Sequence, residues 1–242
     1  PFQVEAWQDY LAGQSGILNA PTGSGKTFAL WMPVLLEYIH NNPTTWKKAQ
    51  KNGIQIIWVT PLRALAQDIS MAMQEVCDQI GLRWKVEVRN GDTSTKQKLA
   101  QKRNPPECLV TTPETLHILL AQKDNSKLFQ DLKAIVIDEW HELMGNKRGV
   151  QVQLALAYIR NLKPEPIKIW GISATIGNLE EAHKILLGEK LPIHIVKADI
   201  DKKIDMQTIY PDELEKYPWS GHLGIQLIDK VIPIIEEKTS VL

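Results

Sequence analysis

Residues 20–27 read Ala-Pro-Thr-Gly-Ser-Gly-Lys-Thr, and this octapeptide constrains the chain more than any other segment. It follows the apolar pair Ile17-Leu18 and precedes the apolar-periodic run Phe28–Tyr38. That is the strand–loop–helix setting in which such a segment cradles phosphate. Gly23 and Gly25 can take positive φ without a Cβ clash, so successive N–H groups can point into one concavity. A helix opening near Gly25 adds unsatisfied N–H groups and a positive dipole end. Thr22, Gly23, Ser24, Gly25, Lys26 and Thr27 are therefore the expected nucleotide-binding residues. Lys26 would reach the β- and γ-phosphates, and the Thr27 hydroxyl would be a Mg²⁺ ligand. Ala20 stands where the usual pattern has glycine.

A phosphate loop of this kind asks for a parallel sheet behind it, and the rest of the chain supplies the pieces. Ile54–Val59, Lys85–Val88, Cys108–Thr111, Ala134–Asp138 and Ile167–Ile172 read as strands. Leu62–Ile80, Pro113–Leu120, Val150–Leu162 and Leu179–Leu187 read as helices between them. Ile135-Val136-Ile137 is apolar without alternation, as expected of a strand covered by helices on both faces. The expected fold is α/β, a doubly wound, mostly parallel sheet with helices on both faces and ligands beyond the carboxyl ends of its strands. The main domain is expected to span 1–196. Residues 197–205 read as a charged linker, and 206–242 as the start of a second domain, with a strand-like run Met206–Ile209 and a helix Gly221–Glu237.

The 28 Lys and Arg residues balance the 28 Asp and Glu residues, so any nucleic-acid surface must be local. Cys77 and Cys108, the two cysteines of the chain, sit in apolar contexts and read as buried free thiols of a reducing, cytoplasmic protein. No apolar run approaches the roughly 18 residues that a membrane span needs, and no basic leader is visible.

The second constraint is Asp138-Glu139, two carboxylates closing an apolar strand about 110 residues after the loop. Asp138 would hold Mg²⁺, usually through water. Glu139 would orient or deprotonate the water that attacks the γ-phosphate. Ser173-Ala174-Thr175 closes another strand, where small hydroxyl side chains could sense the phosphate site. His141 is placed to join that relay. Lys26, Asp138 and Glu139 are the expected catalytic set.

These segments, in this order and spacing, resemble motifs I, II and III of superfamily-two DEXH-box helicases. Thr60-Pro-Leu-Arg-Ala-Leu-Ala66, Asn90-Gly-Asp-Thr93 and Thr111-Thr-Pro-Glu114 resemble motifs Ia, Ic and Ib in the Lhr-like form. The stretches Asp138–Gln151, Ser173–Glu181 and Pro218–His222 are most similar to the ligase-associated branch. The resemblance implies a RecA-like first lobe that binds ATP and Mg²⁺ and couples hydrolysis to unwinding. Gln3 would read adenine. Pro61, Arg63, Gly91, Asp92, Thr112 and Pro113 would face single-stranded or partly duplex DNA. It also implies DNA repair beside an ATP-dependent ligase and a nuclease, with nucleoid association when on DNA. An RNA-remodelling ATPase, or a nucleotide-gated binding module without unwinding, are the alternatives. Motifs IV to VI belong to the second lobe in that family, and arginine fingers contribute about 10³–10⁵ in rate. This chain alone is thus expected to hydrolyse ATP very slowly. Physically, the motif loops leave strand ends or open helices, where N–H groups, hydroxyls and one guanidinium can grip phosphates without reading bases. The basic clusters Lys47-Lys48-Lys51 and Lys96-Lys98-Lys102-Arg103 read mainly as solvated faces, and Lys147-Arg148 is the better placed for phosphate. Trp140 and Trp219 are candidates for base stacking or lobe contacts.

Overall fold

The computed structural model describes residues 1–123, 125–163, 165–189, 191–200, 208–209 and 227–237. Contacts divide the chain into one unit, Pro1–Ile200, and a second, Asp201–Leu242. The first opens with helix α1 (Phe2–Leu11), then strand β1 (Gly16–Asn19), the phosphate loop and helix α2 (Lys26–Asn41). Next come β2 (Ile56–Val59), α3 (Arg63–Ile80), β3 (Val86–Arg89), α4 (Thr95–Arg103), β4 (Cys108–Thr111) and α5 (Pro113–Leu120). They are followed by α6 (Asn125–Leu128), β5 (Ala134–Ile137), α7 (Trp140–Leu143), α8 (Lys147–Leu162), β6 (Lys168–Ser173), α9 (Leu179–Leu187) and β7 (Ile195–Lys197).

The seven strands form one sheet in the order β3-β4-β2-β5-β6-β1-β7, parallel throughout. The expected doubly wound α/β fold is what the chain adopts, with an entirely parallel sheet. Each central strand sends alternate residues to two separate cores, which explains its unbroken apolar reading. Trp58, Val136, Trp170 and Leu18 pack with α2 residues Leu30, Trp31 and Leu35 on one face. Ile57, Ile135, Ile137 and Ile17 pack with Leu116, Trp140 and Leu156 on the other.

The order has a functional consequence. β5 and β6 insert between β2 and β1, so the carboxyl ends of β1, β5 and β6 lie side by side. Those are the ends that carry the phosphate loop, Asp138-Glu139 and Ser173-Ala174-Thr175. The carboxyl ends of β2, β3 and β4, followed by Pro61–Arg63, Asn90–Thr93 and Thr112–Pro113, occupy the other half of the sheet.

Several elements differ from their sequence reading. α1 was not anticipated; it buries Phe2, Ala6 and Tyr10, one side chain per turn, against α2. α4 forms from a charged stretch because Ser94 and Gln97 make a reciprocal capping box at its start. α8 begins at Lys147 rather than Val150, since the Asn146 side chain accepts from Arg148 N–H at 2.9 Å and Gly149 N–H at 3.2 Å. β7 pairs with β1 as a sheet strand, reaching the residue where the linker was expected to begin. In the second unit, helix α10 (Ile228–Glu236) falls within the expected Gly221–Glu237, and Thr208-Ile209 are not in a strand. Residues 206–207 and 218–226, including Trp219, lie outside the described residues. Among the described residues no helix is long and apolar enough to cross a membrane.

Candidate nucleotide site and nucleic-acid face

The loop between β1 and α2 takes the shape its glycines permit. Gly23 has φ +75° and Gly25 φ +86°, both left-handed, and Gly25 is the N-cap of α2. Lys26 follows in the first turn, 8% exposed, and its Nζ has no hydrogen-bond partner. A buried ammonium left without an acceptor is costly unless an anion satisfies it, so the cradle fits a polyphosphate. The Nζ lies 3.8 Å from Glu139 Oε1. Gln3, delivered by α1, donates from Nε2 to the Ser24 carbonyl at 3.2 Å and so braces the loop. Thr27 is half-buried beside Lys26, while Thr22 is exposed.

Asp138 follows β5 directly and is 7% exposed. Its Oδ2 accepts the Trp58 indole N–H at 3.2 Å and its Oδ1 accepts the Glu139 N–H at 3.0 Å. Burial pushes its carboxyl up to about 6; the indole bond, the Glu139 N–H and the Lys26 charge pull downward, and the Glu139 charge adds to the rise. Glu139 itself sits at φ +45° and ψ +50°, where non-glycine residues are strained. No other non-glycine described residue has a positive φ. The strained turn brings Glu139 to Lys26 on one side and, at 3.4 Å through Oε2, to His141 Nδ1 on the other. His141 Nδ1 also meets Ser173 Oγ at 2.9 Å, and its Nε2 lies 3.4 Å from Glu142 Oε1. Asn19 Nδ2 donates to the carbonyls of Ser173 and Ala174 at 3.3 and 3.4 Å, tying β1's end to β6's. Thr175 is exposed just beyond.

Lys26, Asp138, Glu139, His141 and Ser173 thus converge, as their sequence spacing implies. Their supports, Trp58, Asn19 and Glu142, gave no sequence signal, because an indole on an apolar strand and an amide before a loop read as core and turn.

On the other half of the sheet, Arg63 and Asp92 are exposed and pair at 3.5 Å. A Cβ on Gly91 would lie 3.1 Å from that guanidinium, so the two loops touch. Pro61 and Pro113 are buried, and Thr112, 1% exposed, gives its hydroxyl to Thr115 Oγ1 at 3.3 Å. This corner offers its backbone more than its side chains. Two expectations change. Trp140 is wholly buried with its indole donating to the Ala182 carbonyl at 3.2 Å, so it is core rather than a stacking surface. Arg148 is occupied by Glu114, at 2.6 Å from Nε to Oε1 and 3.4 Å from Nη2 to Oε2, rather than free for phosphate.

A glycine-bent phosphate loop, a buried lysine and a strand-end acid pair on one edge of an all-parallel sheet define a RecA-like nucleotide-binding lobe. Residues 1–182 match the DEAD/DEAH box helicase model, and the chain belongs to that family. Within it, the similarity runs to Lhr proteins. The ATP-dependent helicase Lhr-Core of Methanocaldococcus jannaschii is 33% identical over the whole chain, which spans 29% of that relative. The Lhr-Core of Saccharolobus solfataricus is 34% identical over 81% of the chain, or 23% of its own length. A structure of Mycobacterium smegmatis helicase Lhr bound to ssDNA and AMP-PNP matches with TM-score 0.75 and 29% identity, covering 99% of this chain and 31% of that one. The chain therefore spans less than a third of the length of these relatives.

Proposed function

We propose that the chain is the nucleotide-binding lobe of an ATP-dependent, Lhr-like DNA helicase or translocase. One observation carries this reading: Lys26 Nζ, buried and without a hydrogen-bond partner, stands 3.8 Å from Glu139, which adjoins Asp138. Residues more than 110 positions apart in sequence thereby bring an ammonium and two carboxylates together at the start of α2, the charges that a magnesium-bound triphosphate needs. Thr27 and Asp138 are the residues that would hold Mg²⁺. That ion prefers few protein oxygens plus phosphates and water, and when bound it supplies charge neutralisation for the phosphoryl group.

The chain's own groups account for the rest. Lys26 and the N–H groups at the start of α2 bind and orient the phosphates. Glu139, held in its strained backbone conformation, is the general base that orients the attacking water. His141 links Glu139 to Ser173, so a change at one strand end is felt at the next. Gln3 supports adenine recognition from α1 through its bond to the loop. Single-stranded DNA would run across the ends of β2, β3 and β4, gripped by Arg63, Gly91, Asp92 and the backbone at Pro61, Thr112 and Pro113. The M. smegmatis relative, bound to ssDNA and AMP-PNP, supports DNA as the strand and a nucleotide as the ligand. A role in repair beside a ligase and a nuclease rests on the motif resemblance alone.

The test is ATP hydrolysis by the full-length helicase that carries this lobe, titrated with single-stranded DNA and with single-stranded RNA of one length, followed by strand displacement on a tailed duplex. Stimulation by DNA with displacement is the expected result. Stimulation by RNA alone would assign an RNA-remodelling motor, and binding without displacement a nucleotide-gated module.

A further inference from the structure

The two halves of the sheet edge are joined by a continuous run of polar contacts that links one motif segment to another across α7, α8 and α5. It starts at His141, which touches Glu139 and Ser173 through Nδ1 and Glu142 through Nε2. The Glu142 carbonyl accepts the Asn146 side-chain amide at 2.6 Å. Asn146 Oδ1 in turn accepts the N–H groups of Arg148 and Gly149, fixing the first turn of α8. Arg148 then forks onto Glu114 in the first turn of α5. Glu114 directly follows Thr112-Pro113, the corner assigned to the nucleic-acid strand. Burial pushes the Glu114 carboxyl up, but hydrogen bonds from its own backbone N–H and from Arg148, with the Arg148 charge, outweigh it and hold the carboxyl below the usual range.

Two features make the run stiff. A Cβ on Gly149 would collide with the Leu143 carbonyl, so α8 abuts the end of α7 with no room between them. His117 Nε2 meets the Gln151 carbonyl at 2.6 Å, a second tie between α5 and α8 one turn along from the fork. A displacement of α7 at the phosphate site must therefore move α8, and through Arg148 the start of α5.

We propose that the Arg148–Glu114 pair is the clasp that transmits the state of the nucleotide site to the nucleic-acid corner. Both are positioning residues: neither faces the phosphates, and the guanidinium is spoken for by Glu114. A planar fork fixes distance and orientation in a way a single ammonium does not. The proposal rests on the nucleotide and nucleic-acid reading above.

The experiment measures the affinity of the protein for a fluorescent single-stranded oligonucleotide, with and without a non-hydrolysable ATP analogue, for wild type, Arg148→Gln, Arg148→Lys and the exchange Glu114→Arg with Arg148→Glu. Analogue affinity and thermal melting are measured beside it. Residues along a coupling route shift linkage by about two- to thirtyfold. Arg148→Gln is expected to shrink the analogue-dependent change in oligonucleotide affinity about three- to tenfold, with analogue affinity within about twofold of wild type. Arg148→Lys should fall between, and the exchange should restore part of the linkage. Arg148→Gln with wild-type linkage overturns the clasp, as does an exchange variant that melts like wild type yet regains none of it. A wild-type protein whose oligonucleotide affinity ignores the analogue overturns the reading on which the clasp rests.

Discussion

Glu139, the proposed general base, shows what such a position asks of a single residue. A left-handed backbone costs a non-glycine residue roughly 1–3 kcal/mol, and here it sets the carboxylate between Lys26 and His141. Glu139→Gln keeps the shape and removes the base, so the γ-phosphate should stay bound: turnover is expected to fall by about 10²–10⁴ while nucleotide affinity is retained. Single-turnover hydrolysis and analogue binding on the same variant check the split, and wild-type turnover would remove Glu139 from its role. Lys26→Ala, by contrast, should lose nucleotide affinity itself. Asp138 offers a test on stability. Its folded carboxyl, at about 6, lies above the ordinary 3.8. A raised acid costs the fold nothing below the unfolded value, and its full cost appears once pH has risen through the folded one. Asp138→Asn keeps an acceptor for Trp58 but turns its amide nitrogen toward the Glu139 N–H, so the net gain at pH 7.5 should be about 1 kcal/mol. The gain should vanish near pH 4, which melting curves at the two pH values will show. Asp138 and Glu139 were legible in sequence because a carboxylate pair ends an apolar strand. Trp58 was not, because its partner lies 80 positions away and its own neighbours are all apolar.

Among the elements, the best read were those whose apolar pattern alone decides them: β4, α5 and α9 occupy the residues their periodicity marks. The others turn on polar detail. α4 depends on a capping box and α8 on one asparagine, and neither changes the hydrophobic pattern. The free edge of β3 is settled the same way. Val86 N–H is taken by Gln74 Oε1 at 2.8 Å, Val86 carbonyl by Ser70 Oγ at 3.1 Å, and Val88 carbonyl by Gln101 Nε2 at 3.1 Å. Side chains of α3 and α4 thus occupy groups that an exposed edge would offer to another chain. Gln74→Ala removes one acceptor and leaves a backbone N–H unmet, a loss of about 1–2 kcal/mol. Denaturant melts should show that loss, and hydrogen exchange should place it at β3 rather than at β1 or β6. Uniform exchange across the sheet would deny the edge role.

For the whole molecule, strand order turns a sequence-distant motif set into a site. Because β5 and β6 lie between β2 and β1, the nucleotide groups share one half of the edge and the candidate nucleic-acid groups the other. Motif spacing implied that convergence but not its division, since no local pattern records which strand inserts where. The division bears on how a strand would be held. The chain's formal charge is zero, and on the nucleic-acid half the one cation among the assigned residues, Arg63, already faces Asp92. Grip then comes chiefly from backbone N–H groups and helix starts, which displace few counterions. For single strands the logarithm of affinity falls with the logarithm of salt by about 0.7 per phosphate neutralised. A slope of about −1 to −2 is therefore expected for this chain with an oligonucleotide short enough to cover one lobe. A slope steeper than about −4 would require several further cations. The exposed Lys96, Lys102 and Arg103 of α4 are the nearest set in sequence to Asn90–Thr93. Replacing those three with glutamine would then flatten the line, whereas under the backbone grip it leaves the slope within about one unit.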